Sequence, residues 1–126
     1  MPKKRFGVSV EASLYLKLDE IAKKLNVNRS DVVEEAVKNY VRDLGHFVEK
    51  HYCCGMIIVE DPDNTEIEKI LTANKRIVLN YSHYHINNKC VYTIIVQGDS
   101  MDLAMLYSSI SRVKSANRRY IPLHTK

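Results

Sequence analysis

The chain has 126 residues, of which 45% are hydrophobic and 27% charged, and a formal net charge of +4. This length fits one domain or two very small ones, and so small a core makes oligomerisation expected. No apolar run approaches the ~18–20 residues that span a bilayer, and no apolar segment follows the basic N-terminus as in a signal peptide. Three cysteines do not form a disulfide framework, so we expect a reduced, cytoplasmic protein.

The first predicted element is a short strand over residues 5–10, where apolar and polar side chains alternate. Two amphipathic helices follow, one over residues 12–24 and one that begins at Ser30 as its N-cap and stops at Gly45. A lone strand leaves its backbone groups without hydrogen bonds. Pairing with the same strand of a second copy removes this deficit, so the sequence predicts a two-fold dimer.

The outward face of such a paired ribbon carries Arg5, Gly7 and Ser9. A two-stranded ribbon fits the major groove of B-DNA, where Arg5 can bond both acceptors of guanine and Ser9 can donate or accept. Gly7 contributes shape only. The start of the second helix, at Arg29 and Ser30, offers N–H groups to a phosphate. The pattern therefore favours DNA binding, the alternative being that these side chains form only the solvated face of an amphipathic strand.

The elements after residue 51 follow a different order. Their periodicities predict a strand, a helix, two strands, a helix and a strand in the order β-α-β-β-α-β, which is the split βαβ or ferredoxin-like arrangement. The predicted ranges are residues 52–60, 65–74, 76–86, 90–96, 101–115 and 118–123, in which the second and fifth are helical.

The most informative segment is a predicted hairpin that contains two histidines and a cysteine. His83 and His85 lie two residues apart and share one face of a strand. The asparagines at positions 87–88 predict a two-residue turn because Asn tolerates positive φ. That turn pairs His85 with Cys90, so two imidazoles and a thiol converge on one face. This donor set suits nickel, copper, cobalt or zinc.

The N-terminal part, residues 4–44, resembles the ribbon-helix-helix family of DNA-binding proteins. The resemblance is carried by Arg5–Val10 and by Asn28–Asp31 at the start of the second helix. It implies that the ribbon positions are base readers, although a glycine at Gly7 departs from the family's pattern. In the alternative interpretation, the module is an antitoxin that serves mainly a protein partner, but antitoxins of this family usually carry a disordered tail, and here the second half is predicted to fold.

The C-terminal part resembles the ACT-type regulatory domain of nickel-responsive repressors of the NikR family. The matching residues are the His83-x-His85 pair, Cys90 and the segment 96–99. The resemblance implies a homotetramer that binds square-planar nickel through His-x-His and Cys of one subunit and a His of its neighbour. We therefore expect an α+β chain with three segments: a dimeric ribbon-helix-helix domain, a linker and an ACT-like domain, over residues 1–46, 47–51 and 52–126.

The fourth metal ligand is missing from its usual place. The family's histidine aligns with Thr72, and residues 72–82 contain no histidine. Three interpretations stay open. Another residue supplies the ligand; or three protein ligands and an open position bind copper, cobalt or zinc; or the pocket has lost its metal. Candidates for the fourth ligand are His51, Cys53, Cys54, His124 and the nearby Asn74.

The sequence as a whole predicts a metal-responsive transcriptional regulator, with nickel as the expected ion. We expect a repressor that reads a palindromic operator on double-stranded DNA. The alternative is a ribbon-helix-helix regulator whose second domain senses another metal or a small molecule. An enzyme is not predicted, because the sequence shows no nucleophile with a positioned base, no phosphate-binding loop and no paired carboxylates.

Overall fold

The computed structural model describes residues 2–124 and divides the chain into two compact units, Met1–Tyr40 and Val41–Lys126. Among the described residues, no helix is long and apolar enough to cross a membrane.

The first unit contains the two expected helices, α1 (Ala12–Leu25) and α2 (Arg29–Leu44), of which α2 continues into the second unit. The N-cap of α2 predicted at Ser30 is wrong. Asn28 caps this helix, because its Oδ1 accepts from the Asp31 N–H at 2.9 Å and the Asp31 carboxylate accepts from the Asn28 N–H at 3.4 Å.

Residues 2–11 have no helix or strand, so the strand predicted over residues 5–10 is not formed in the single chain. The reason is physical, since a strand needs a neighbour to satisfy its backbone groups and this unit contains no other strand within its described residues. Phe6 and Val8 are 73% and 72% exposed. The apolar side of the predicted ribbon is therefore uncovered.

The second unit begins with the end of α2 and a short 3-10 helix, Gly45–Phe47. The elements that follow have bounds within a few residues of the predicted ones. They are β1 (Tyr52–Glu60), α3 (Asn64–Ala73), β2 (Val78–Ile86), β3 (Lys89–Asp99), α4 (Ser100–Ser111) and β4 (Asn117–Pro122). The four strands form one antiparallel sheet in the order β2-β3-β1-β4, with the helices in the predicted ferredoxin-like connection.

The core lies between one face of the sheet and the two helices of this unit. Alternate residues of the central strands are buried there, as the period of a strand requires. An aspartate caps the N-terminus of each helix. The Asp63 side chain accepts a hydrogen bond from the Glu66 N–H, and the Asp99 side chain accepts one from the Met101 N–H. The most buried core side chains are Ile57, Val59, Ile67, Leu71, Tyr92, Ile94, Val96, Leu103, Leu106, Ile110 and Tyr120.

The β2–β3 hairpin has the predicted turn and register. Asn87 and Asn88 have φ values of 49° and 64°, as a two-residue turn of the primed type requires. His85 pairs with Cys90, which confirms the prediction. The turn thus places the two histidines and the cysteine on one side of the sheet.

Candidate functional site

The candidate base-reading residues Arg5, Gly7 and Ser9 are all exposed. A Cβ built on Gly7 would have no atom within 4 Å, so its glycine is not required by packing in the single chain. The sequence alternates these three residues with Phe6 and Val8. The segment forms a ribbon with two different faces only when a second strand pairs with it.

The candidate phosphate-binding residues lie in the first turn of α2. The guanidinium Nη1 of Arg29 lies 2.8 Å from Asp19 Oδ1, and its Cζ lies 4.4 Å from the centre of the Tyr15 ring. The hydrogen bond to Asp19 raises the pKa of Arg29. Arg29 therefore links α1 to the start of α2, whereas the neighbouring Ser30 is exposed beside the N–H groups of the first turn.

The hairpin donors come together at one end of the sheet. His83 Nε2 lies 2.7 Å from Cys90 Sγ, and the ring centres of His83 and His85 are 4.9 Å apart. The His83 ring also stacks on the Tyr92 ring, with centres 4.4 Å apart and planes 14° apart. We call His83, His85 and Cys90 the hairpin site.

A carboxylate on α3 supports the wall of the hairpin site. Glu68 accepts hydrogen bonds from the hydroxyls of Tyr81 at 2.6 Å and Tyr92 at 2.7 Å. These two hydrogen bonds lower the pKa of Glu68, whereas burial and the same carboxylate raise the pKa of Tyr92. Glu68 therefore fixes the ring on which His83 stacks.

The backbone of Cys90 is held by a residue at the end of β1. Its N–H donates to Asp61 Oδ1 at 2.8 Å, and its carbonyl accepts from the Asp61 N–H at 2.7 Å. Burial, followed by the charge of Asp61, raises the pKa of the Cys90 thiol. Two hydrogen bonds to Asp61 thus hold the Cys90 backbone, in addition to the hydrogen bonds that pair β3 with its neighbouring strands.

The hairpin site has the donors for a borderline-soft transition ion, namely two imidazoles and a thiol, and the His83 ring lies next to both His85 and Cys90. Both histidines are exposed, and Asn64 Oδ1 lies 3.5 Å from Cys90 Sγ, although a neutral amide oxygen is a poor ligand for such an ion. The amide of the candidate Asn74 donates to the Ile70 carbonyl at 2.8 Å and caps α3. Three protein ligands and an open position therefore fit this chain taken alone.

The other candidates for the fourth ligand lie elsewhere. Cys53 pairs with Gly98 on β3, eight residues along that strand from Cys90, which corresponds to about 26 Å. His51 is next to Cys53, with its Nε2 atom 2.9 Å from Cys53 Sγ. Within one chain, His51 and Cys53 are thus brought together at the end of the sheet opposite the hairpin site.

This opposite end holds a second group of metal-type donors. The side-chain donors of four residues all lie within 4.8 Å of one another. Sequence reasoning missed this grouping, although the spacing His51-x-Cys53 repeats the signal of His83-x-His85. We call the group the four-donor cluster; it consists of His46, His51, Cys53 and His124.

Comparison with known proteins agrees with the division of the chain. Residues 2–43 match the family model described as a ribbon-helix-helix domain. An uncharacterized transcriptional regulator of Methanocaldococcus jannaschii is 24% identical over 119 residues, 86% of this chain and 88% of that protein. A protein named "Putative nickel-responsive regulator" from Dictyoglomus thermophilum is 26% identical over 87% of this chain and 87% of its own length. A protein of the same name from Caldanaerobacter subterraneus is also 26% identical, over 84% of this chain and 73% of its own length.

The matched residues contain α1, nearly all of α2 and the N-terminal segment that alternates apolar and polar side chains. The second unit has the ferredoxin-like topology expected of an ACT-like domain. Residues 2–43 therefore match a ribbon-helix-helix domain, and the chain as a whole is similar, at 26% identity, to proteins named putative nickel-responsive regulator.

Proposed function

We propose that this chain is a metal-responsive transcriptional regulator that binds DNA as an oligomer and represses when metal is bound. The observation that carries the proposal is the 2.7 Å approach of His83 Nε2 to Cys90 Sγ in a chain that begins with a ribbon-helix-helix domain. One part supplies donors for an ion and the other supplies the elements that read DNA.

The DNA-binding unit is a dimer built on residues 5–10. Two copies of this segment pair as a ribbon, which covers the exposed Phe6 and Val8 on one side. Arg5 on the other side reads a guanine in the major groove, and Ser9 contributes a second polar contact. The first turn of α2 at Ser30 binds a backbone phosphate, which positions the ribbon without reading sequence.

The metal is held by His83, His85 and Cys90, with a fourth ligand from another subunit or from water. Nickel is favoured by the names of two relatives, and the donor set also accepts copper, cobalt or zinc. When bound, the ion supplies coordination bonds that fix the hairpin and join it to its neighbour in a tetramer. It raises DNA affinity only to the extent that it binds the DNA-competent arrangement more tightly.

The test measures DNA affinity with and without metal. Operator sequences are first selected from random DNA by the full-length protein in the presence of Ni²⁺. Binding to a labelled operator is then measured with no metal and with Ni²⁺, Cu²⁺, Co²⁺ or Zn²⁺. At least one ion should tighten binding about tenfold or more, which corresponds to a coupling of about 1.4 kcal/mol.

The matched variants are His83→Ala and Tyr84→Ala, since residue 84 points to the opposite face of the same strand. The first variant should lose the metal response and keep the metal-free affinity, whereas the second should keep both. Equal DNA affinity with and without all four ions, or a full response in His83→Ala, contradicts the proposal.

A further inference from the structure

The four-donor cluster has the spacing of a metal site. His51 Nε2 lies 2.9 Å from Cys53 Sγ and 3.3 Å from His46 Nδ1. Ligands of a tetrahedral zinc ion, with bonds of 2.0–2.3 Å, lie about 3.5 Å from one another. Cys53 is 1% exposed and His46 is 8% exposed, whereas His51 and His124 are partly buried, so the cluster extends from the interior of the fold toward its surface.

A backbone carbonyl orients the ring of His51. Its Nδ1 lies 2.8 Å from the Glu49 carbonyl oxygen, which can only accept, so Nδ1 is the donor of this hydrogen bond. The other ring nitrogen, Nε2, points toward Cys53 and His46 and is the atom placed to bind an ion. A buried serine holds the same carbonyl, since Ser100 Oγ donates to it at 2.7 Å. An imidazole oriented by a backbone carbonyl is the usual arrangement of a metal-ligating histidine.

His124 repeats this arrangement from the end of β4. Its Nδ1 lies 3.1 Å from the Cys54 carbonyl oxygen and 3.3 Å from the Cys54 amide nitrogen. Each contact fits one tautomer: the Cys54 amide donates to an unprotonated Nδ1, whereas the Cys54 carbonyl accepts from a protonated Nδ1, and only the second tautomer leaves the lone pair on Nε2 for an ion. That Nε2 atom is buried and has no hydrogen-bond partner among the described residues. Buried nitrogen atoms without partners are rare, and a bound cation explains this one.

We propose that His46, His51, Cys53 and His124 form a second, closed metal site that takes zinc as a structural ion. Three imidazoles and one thiolate complete a tetrahedral set, and a site whose four ligands all come from protein has no open position for a substrate. On binding, the Cys53 thiol loses its proton to solvent and the thiolate offsets one charge of the ion. This site is separate from the hairpin site and goes beyond the proposed function.

The ion joins two parts of the second unit that are distant in sequence. His46 in the 3-10 helix, His51 just before β1 and Cys53 in β1 lie near the start of the unit, whereas His124 follows β4. Because this geometry exists only in the folded state, binding adds directly to the stability of the fold. The site thus fastens the beginning of the unit to its end.

The experiment uses the full-length protein with the hairpin donors removed, as His83→Ala/His85→Ala/Cys90→Ser. This background variant is titrated with Co²⁺, whose visible absorption reports tetrahedral coordination and thiolate ligation, and then with Zn²⁺ in competition. We expect about one Co²⁺ per chain, displaced by Zn²⁺, and a rise in the unfolding midpoint of about 5 °C with excess Zn²⁺.

Three further substitutions are added singly to that background. Cys53→Ser should abolish the thiolate band, and His124→Gln should weaken Co²⁺ binding at least tenfold. Cys54→Ser is the control, because residue 54 points to the opposite face of β1. The partly buried position of His124 allows its variant to fold if Cys53→Ser does not, which circular dichroism checks. Absence of Co²⁺ binding in the background variant, or unchanged binding in His124→Gln, overturns the proposal.

Discussion

The hairpin site and the four-donor cluster occupy opposite ends of one sheet and differ in how they are assembled. His83 and His85 lie on β2 at the sheet edge, and their partner Cys90 is reached by a two-residue turn. The four-donor cluster draws on the 3-10 helix, on β1 and on the end of the chain. One site is local and has two exposed histidines, and the other is non-local and has two buried and two partly buried donors.

This difference suggests two different uses of similar donors. An exposed site with three ligands can exchange its ion and accept a ligand from another subunit, as a sensor requires. A buried site with four ligands exchanges its ion slowly and contributes to stability instead. Substitutions that disturb one end of the sheet and spare the other therefore test this difference.

The largest effect is expected for Gly55→Ala, at the buried end of the sheet. Gly55 lies on β1 two residues after Cys53, and an added Cβ would collide with the ring of Tyr120, which is fully buried. Overpacking of this kind costs about 2–3 kcal/mol. We expect this loss in denaturant unfolding of the second unit, together with weaker Co²⁺ binding at the four-donor cluster and unchanged binding at the hairpin site.

The control for this substitution is Gly7→Ala, because a Cβ there meets nothing within 4 Å. Its free energy of unfolding should stay within about 0.5 kcal/mol of the parent. A Gly55→Ala protein as stable as the parent would show that Tyr120 can move, and that the buried end is less rigid than its packing indicates.

The same contrast explains what the sequence could and could not predict. Alternation, helical spacing and the asparagine pair were enough for the element order and for the His85–Cys90 register, because these are local properties. The strand predicted over residues 5–10 is absent from the single chain because it requires a second copy. The four-donor cluster was missed because the approach of His46 and His124 depends on the tertiary fold.

The N-cap of α2 was predicted two residues away from its observed position. Asn28 and Ser30 are both good cap residues, and they lie two positions apart. The structure selects Asn28 because the carboxylate of Asp31, three residues later, completes a reciprocal pair of hydrogen bonds. The prediction at Ser30 weighed the residue type and omitted this second partner.

A smaller effect is expected for Glu68→Gln, at the hairpin end. Glu68 is partly exposed and accepts from two tyrosine hydroxyls, so we expect a loss of about 1 kcal/mol at neutral pH. These hydrogen bonds hold the pKa of Glu68 below its ordinary value. The stabilisation is therefore complete above the unfolded-state pKa and disappears as the pH falls through the lower folded-state pKa.

The measurement is the free energy of unfolding of the parent and Glu68→Gln proteins between pH 7 and pH 3. The difference should be full at pH 7 and pH 5 and should shrink below about pH 4. Glu66→Gln, on the same helix but without a tyrosine partner, should show a smaller loss. A difference that does not change with pH would assign the effect of Glu68 to packing.

The smallest effect is expected for Asn88→Gly in the hairpin turn. Residue 88 has φ of 64°, which costs glycine nothing, and Asn-Gly is the preferred pair for this turn. We expect a gain of about 0.3 kcal/mol and unchanged metal affinity at the hairpin site. Ser82→Gly in the middle of β2 is the matched control and should cost about 0.5–1 kcal/mol, because a glycine weakens a strand interior. If Asn88→Gly lowers metal affinity at His83, His85 and Cys90 by tenfold, the asparagine side chain takes part in the site and the turn does more than set the register.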